Sequence, residues 1–209
     1  MTSIAAFDEA FARFPLIAIL RGVRPEEVVD VGTALMDEGF TLIEVPLNSP
    51  DPLESIARLA RHARDRAVIG AGTVLSSEAV EQARVAGGRM IISPNTDVRV
   101  IAASVAAGLV SLPGFATPSE AFAALGAGAT ALKLFPAEAG GPAVLKAIRA
   151  VLPSDVRVLP VGGIVPESMA LWRQAGAAGF GLGSAIYVPG LGAADVARRA
   201  RAFRESLLG

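Results

Sequence analysis

The 209 residues contain no cysteine. That excludes a disulfide scaffold, a thiolate nucleophile, a thiolate-held zinc and an iron–sulfur cluster. Histidine is limited to His62, which stands in Arg61-His62-Ala63-Arg64 on the charged side of an expected helix. A zinc centre has too few ligands in such a chain, so neither a metal nor a cofactor is expected. Charge excess of either sign is also missing. Nineteen basic residues face twenty acidic ones, for a net charge of −1, which argues against a nucleic-acid partner that needs a concentrated basic surface. No basic segment precedes a long apolar stretch at the N-terminus. Ala5, Phe7, Asp8, Glu9 and Phe11 read as a short amphipathic helix and not as a signal peptide. A cytoplasmic setting is expected. The stretch poorest in charge, Val100 to Leu132, carries only Glu120. It is broken by Pro113, Pro118 and several glycines, so it predicts buried strands flanking a covered helix and no membrane span.

What the chain has instead is apolar residues, 52% of the total, and 22 glycines. Short runs rich in valine, isoleucine and leucine begin near Leu16, Thr41, Ala67, Met90, Leu109, Thr130, Arg157 and Ala178. They are continuous rather than alternating, as parallel strands buried on both faces are. Helical stretches lie between them. Thr117-Pro118-Ser119-Glu120 combines an N-cap, a proline at the first helical position and a capping-box glutamate. Pro25-Glu26-Glu27 reads as another helix start, and Gly39, Gly87, Gly108, Gly126 and Gly176 read as C-terminal caps. Eight strand–helix units predict an α/β fold, a closed (β/α)8 TIM barrel behind a short N-terminal helix. The competing doubly wound sheet would favour a Gly-x-Gly-x-x-Gly first turn, and the turn here is Arg21-Gly22-Val23-Arg24-Pro25. No linker divides the chain, so residues 1–209 are expected to form a single domain.

Function in a barrel sits at the C-terminal ends of its strands. Lys133 ends an otherwise apolar strand, with Ala131 and Phe135 on the same face. The chain has seventeen arginines and only two lysines, the other being Lys146 beside Arg149 in a helical stretch. Two readings fit Lys133: an ion-paired structural lysine, or an amine that forms a Schiff base, which arginine cannot replace. Glu44, the lone carboxylate of Thr41-Leu42-Ile43-Glu44-Val45-Pro46, fits either a counter-charge to that lysine or a general acid and base. Arg21 ends the first strand and fits a carboxylate grip or a pair with Glu44. Thr73 offers a hydroxyl after the third strand, and Asn48 lies in the loop beyond Glu44. Val161-Gly162-Gly163 and Gly181-Leu182-Gly183-Ser184 follow the last two strands. They fit either ordinary turns or a backbone cradle for phosphate.

Gly70-Ala71-Gly72-Thr73-Val74-Leu75, Ile92-Ser93-Pro94-Asn95, Lys133-Leu134-Phe135-Pro136-Ala137-Glu138 and Val161-Gly162-Gly163 together resemble the class I 2-dehydro-3-deoxy-phosphosugar-acid aldolases. The resemblance runs from about Pro15 to Leu208. It implies cleavage of a phosphorylated 2-keto-3-deoxy sugar acid to pyruvate and D-glyceraldehyde 3-phosphate. It also implies a Schiff base on Lys133, catalysis by Glu44, and phosphate contacts from Gly162, Gly163, Gly183 and Ser184. Arg21, Asn48, Thr73, Pro94, Phe135 and Val161 complete the substrate-binding set, and a homotrimer is implied. Pro15 to Gly22 and Glu44 to Pro50 resemble the branch acting on the galactonate epimer. The gluconate branch usually carries arginine at the place of Asn48 and threonine at that of Val161. Activity on the C4-epimeric gluconate, or on both epimers, stays open. A non-covalent phosphosugar isomerase or synthase, and a non-enzymatic binding scaffold, would share the glycine loops but not the reactive lysine.

Overall fold

The computed structural model describes residues 1–209. Helix α1 (Ser3–Arg13) precedes strand β1 (Leu16–Ile19), followed by α2 (Val28–Asp37), β2 (Leu42–Pro46) and α3 (Pro52–Ala63). The alternation continues through β3 (Val68–Gly72), α4 (Ser77–Val85), β4 (Met90–Ile92) and α5 (Val98–Ala106). Next come β5 (Val110–Leu112), β6 (Gly114–Phe115), α6 (Pro118–Gly126), β7 (Leu132–Leu134) and α7 (Gly141–Arg149). The chain ends with β8 (Val158–Pro160), α8 (Met169–Gln174), β9 (Phe180–Leu182) and α9 (Ala193–Leu208).

All strand pairs are parallel, in the order β5-β4-β3-β2-β1-β9 and, separately, β6-β7-β8. The two sheets are one ring. β5 and β6 are a single stave interrupted at Pro113, which lacks the N–H needed to continue the ladder. The other seam closes through a parallel bridge between Val161 and Gly181 and through Ala178 N–H donating to the Val158 carbonyl at 2.9 Å. The result is the (β/α)8 barrel expected from the apolar runs, and each of the eight staves begins within two residues of its run.

Strand alternation divides the core into two shells. The outer shell joins barrel to helices and includes Leu16, Ala18, Ile43, Val45, Ile69, Ala71, Leu132 and Leu134. The inner shell fills the barrel with Ile17, Leu42, Val68, Met90, Val110, Ala131 and Leu159, and it takes in Phe7 and Phe11 of α1. Thus α1 closes the N-terminal end. Its two rings stack 5.5 Å apart, and Arg157 lies over both while pairing with Asp8 at 2.7 Å.

Local details differ from expectation at two places. Helix α2 begins at Val28, because Arg24 to Glu27 form a turn and the Glu27 carboxylate folds back onto the Arg24 N–H. Gly126 is the last residue of α6 and not its cap. The left-handed residue there is Gly128, at φ 96°. The Thr117 capping box forms in full. No helix is long and apolar enough to cross a membrane.

Candidate active site

Glu44 and Lys133 meet inside the upper half of the barrel because both occupy inward positions of their strands. Glu44 pairs in register with Ile19 of β1 and Gly70 of β3, and Lys133 with Gly114 and Leu159. Both side chains line one small enclosed space, walled by Ile17, Ile92, Leu112 and Leu159. Glu44 is 1% exposed and Lys133 6%. The ammonium lies 4.9 Å from the centre of the Phe135 ring, as their shared strand face requires.

Room for the carboxylate comes from glycine. A β-carbon on Gly72 would land on Glu44 Oε2, and one on Gly181 would come within 2.6 Å of a Val161 methyl. Glu44 Oε2 is buried without a hydrogen-bond partner, an arrangement that folding alone does not favour. Burial therefore dominates the electrostatics. It pushes the Glu44 carboxyl above its ordinary range, against the opposing pull of Lys133 and Arg21. It likewise pulls Lys133 below the ordinary lysine range, against Glu44 and with help from Arg21. The amine is thus biased toward its neutral, nucleophilic form.

Above this pair opens a cavity of about 370 Å³, lined by Ile19, Arg21, Lys133, Phe135, Val161 and the two glycine loops. Gly162, Gly163, Gly183, Ser184 and Ala185 all face it. The amides of Gly162, Gly163, Ser184 and Ala185 donate to no acceptor in the chain, whereas Gly183 accepts from Ile186 and Tyr187 at 2.9 and 3.0 Å. The β9 loop is therefore a helical turn with unspent N–H groups at its start, a favourable place for an anion. Gly162 and Gly163 have φ of 110° and 65°, and a β-carbon on Gly162 would meet the Glu138 carboxylate. Those two positions need glycine on conformational and steric grounds alike.

Arg21 reaches the same cavity from β1 and donates from Nη1 to Asn48 Oδ1 at 2.7 Å, so its partner is Asn48 and not Glu44. Thr73 directly follows β3, in the left-handed region at φ 55°, a strained setting for a β-branched residue. Asn48, Thr73 and Pro94 stand at strand ends on the same rim but outside the cavity lining. Ile19, Ile164, Val165 and Ala185 also line the cavity, and no motif in the sequence singles them out. Gly181, expected in the loop after the last strand as part of the second glycine cluster, stands inside β9, two residues before Gly183. Lys146 and His62 lie on the exposed sides of α7 and α3, outside the cavity, and His62 meets Thr33 at 2.8 Å.

A family model described as KDPG and KHG aldolase matches residues 7–200. The chain is 50% identical over 186 residues to the probable 2-dehydro-3-deoxy-6-phosphogalactonate aldolase of Rhizobium meliloti (strain 1021), covering 89% of this chain and 88% of the relative. It is 48% identical over 191 residues to the 2-dehydro-3-deoxy-6-phosphogalactonate aldolase of Escherichia coli (strain K12), covering 91% and 93%. Among solved structures, the one described as "Native KDPGal structure" superposes with a TM-score of 0.92 at 46% identity, covering 94% of this chain and 95% of the other. A closed barrel with a buried lysine–glutamate pair, matched over nearly its whole length by these proteins, belongs to the KDPG and KHG aldolase family and is an aldolase-type carbon–carbon lyase.

Proposed function

We propose that the protein cleaves 2-dehydro-3-deoxy-6-phospho-D-galactonate to pyruvate and D-glyceraldehyde 3-phosphate through a Schiff base on Lys133. The observation that carries this reading is the buried Lys133–Glu44 pair directly beneath a cavity with unspent amide donors. Neutral Lys133 Nζ attacks the C2 ketone, and the carbinolamine takes up a proton from solvent and loses water to give a protonated imine. Glu44, as carboxylate, takes the C4 hydroxyl proton. The C3–C4 bond breaks as that oxygen becomes the aldehyde, and the bonding electrons pass to C3 and the imine, forming an enamine. Glyceraldehyde 3-phosphate leaves. Glu44 then returns its proton to C3, and water hydrolyses the pyruvyl imine to release Lys133.

The remaining roles follow from position. Arg21, held by Asn48, grips the substrate carboxylate. Phe135 and Val161 flank the reacting carbons. Gly162, Gly163, Gly183 and Ser184 hold the phosphate, and Thr73 and Pro94 border the rim. Val161 brings no hydroxyl to the cavity, which supports the galactonate epimer over the gluconate one. We read residues 1–209 as one barrel domain in a cytoplasmic enzyme. We read the assembly as a homotrimer, in which exposed apolar side chains such as Val98 and Phe122 find cover. Sedimentation at three times 21.3 kDa checks the assembly.

The deciding experiment has two parts. Borohydride with pyruvate should trap an adduct on Lys133, located by peptide mass. Pyruvate release should be faster from the galactonate than from the gluconate epimer. Absence of an adduct under turnover conditions rejects the covalent scheme, and equal rates reject the epimer assignment.

A further inference from the structure

Two loops that the proposed function assigns to opposite ends of the substrate are tied together away from the cavity. Tyr187 closes the helical turn whose start presents the Ser184 and Ala185 amides. Its ring is buried, 2% exposed, and its phenol donates to Glu27 Oε1 at 2.8 Å across 160 residues of sequence. Glu27 belongs to the turn after β1, the same loop that carries Arg21. Its Oε1 also accepts the Arg24 N–H at 3.0 Å, so the carboxylate stiffens its own loop while holding the other. A second contact runs alongside. Gly22 has φ 82°, and a β-carbon there would come within 2.7 Å of Pro189 Cγ. The Gly22 N–H donates to Ser49 Oγ at 2.9 Å, which fixes the residue next to Arg21.

The tie therefore joins the β1 loop to the β9 loop as one rigid rim segment. Arg21 sits on one side of it and the amide cradle on the other. We propose that Tyr187 and Glu27 are a positioning pair that sets the spacing between the Arg21 carboxylate grip and the β9 phosphate cradle. In this way they match the site to a phosphorylated acid of fixed length. The proposal rests on the substrate reading above and adds to it the determinant of chain length. Neither residue touches the reacting carbons. Loss of the tie lets the two anion sites drift apart. A substrate held at both ends then suffers, whereas one held only by its carboxylate does not.

Tyr187→Phe removes one hydroxyl and keeps the packed ring. For the phosphorylated six-carbon acid, KM should rise about fivefold to tenfold with kcat changed less than twofold, since the net worth of one hydrogen bond limits what the tie can transmit to binding at both ends. For the same acid without its phosphate, and for pyruvate trapping on Lys133, the variant should match wild type within twofold. Preference for the phosphorylated substrate therefore narrows by the same five- to tenfold. Glu27→Gln, which retains an acceptor oxygen, should fall between the two. A structural role alone would lower thermal stability and depress both substrates together, leaving the preference unchanged. That result, or an unaltered preference in a normally folded variant, overturns the proposal. A wild-type chain inert toward the phosphorylated acid would sink the parent reading and this one with it, whereas an active wild type with an unmoved ratio rejects only the tie.

Discussion

At the floor of the barrel, Phe7 and Phe11 pack with Leu42, Val68 and Met90 in one buried apolar cluster. At the mouth, Gly72, Gly162, Gly163 and Gly181 stand where side chains would collide with Glu44, Glu138 and Val161. The same eight-stranded ring is thus filled at one end and hollowed at the other. The floor contributes apolar burial, of roughly 25 cal/mol for each Å² removed from water. The mouth spends stability on a buried carboxylate with an orphaned oxygen, a buried amine and a threonine at positive φ. Binding and chemistry need groups that folding disfavours, and the division keeps them apart from the layer that holds the fold.

This division can be broken by substitution. Lys133→Arg at the mouth should abolish cleavage, by about 10⁴-fold or more in kcat, because a guanidinium stays protonated and forms no imine. Borohydride trapping should fail with it, while the melting curve stays close to wild type. Phe7→Ala at the floor should do the converse. It should cost about 3–5 kcal/mol by urea titration, while the folded fraction still traps pyruvate normally. Glu44→Gln should lower kcat by about 10²–10³-fold yet leave the pyruvate adduct intact, separating proton transfer from imine formation. Loss of adduct in that variant would mean that Glu44 acts earlier than assigned.

Two finer tests concern the balance within the mouth. Gly162→Ala forces a side chain into φ 110° against Glu138 and should raise KM about tenfold through the displaced amides. The pH profile is the smallest effect. Burial lowers the Lys133 pKa, so the neutral amine becomes abundant, and trapping with pyruvate accelerates, as pH rises toward a midpoint below the ordinary lysine value of about 10.4. Glu44 opposes that shift, so in Glu44→Gln the midpoint should move to still lower pH. A midpoint at the ordinary value would show that the amine is hydrated and unperturbed.

The floor and walls were the legible part of the chain. Parallel strands buried on both faces leave continuous apolar runs, so the eight staves could be read directly. The break at Pro113 only splits one of them. Lys133 and Glu44 were legible for the opposite reason, as lone charges inside such runs. Glycine was read less well. Gly162, Gly163 and Gly183 follow strands and stand out, but Gly72 lies inside a strand and matters only because Glu44 points at it from the neighbouring one. Gly126 and Gly128 follow the same apolar segment, and only the folded backbone distinguishes the last helical residue from the left-handed one, Gly128. Glu27 read as a dipole-favoured helix start, and its partner Tyr187 lies 160 residues away with no local pattern to join them. Local signals encode elements and isolated anomalies, whereas loop-to-loop contacts exist only after the ring closes.

Helix α1 backs a barrel whose lower interior is already filled by apolar side chains, so the space around Lys133 and Glu44 lies on the side of the cavity at the opposite rim. On the reading proposed above, protons and water would reach Glu44 through the same doorway that the substrate would occupy. A ligand seated there would shield an enamine on Lys133 from stray protonation by solvent. The apolar fill at the far end would thereby help decide when the carbanion equivalent is quenched, although no residue of α1 lines the cavity.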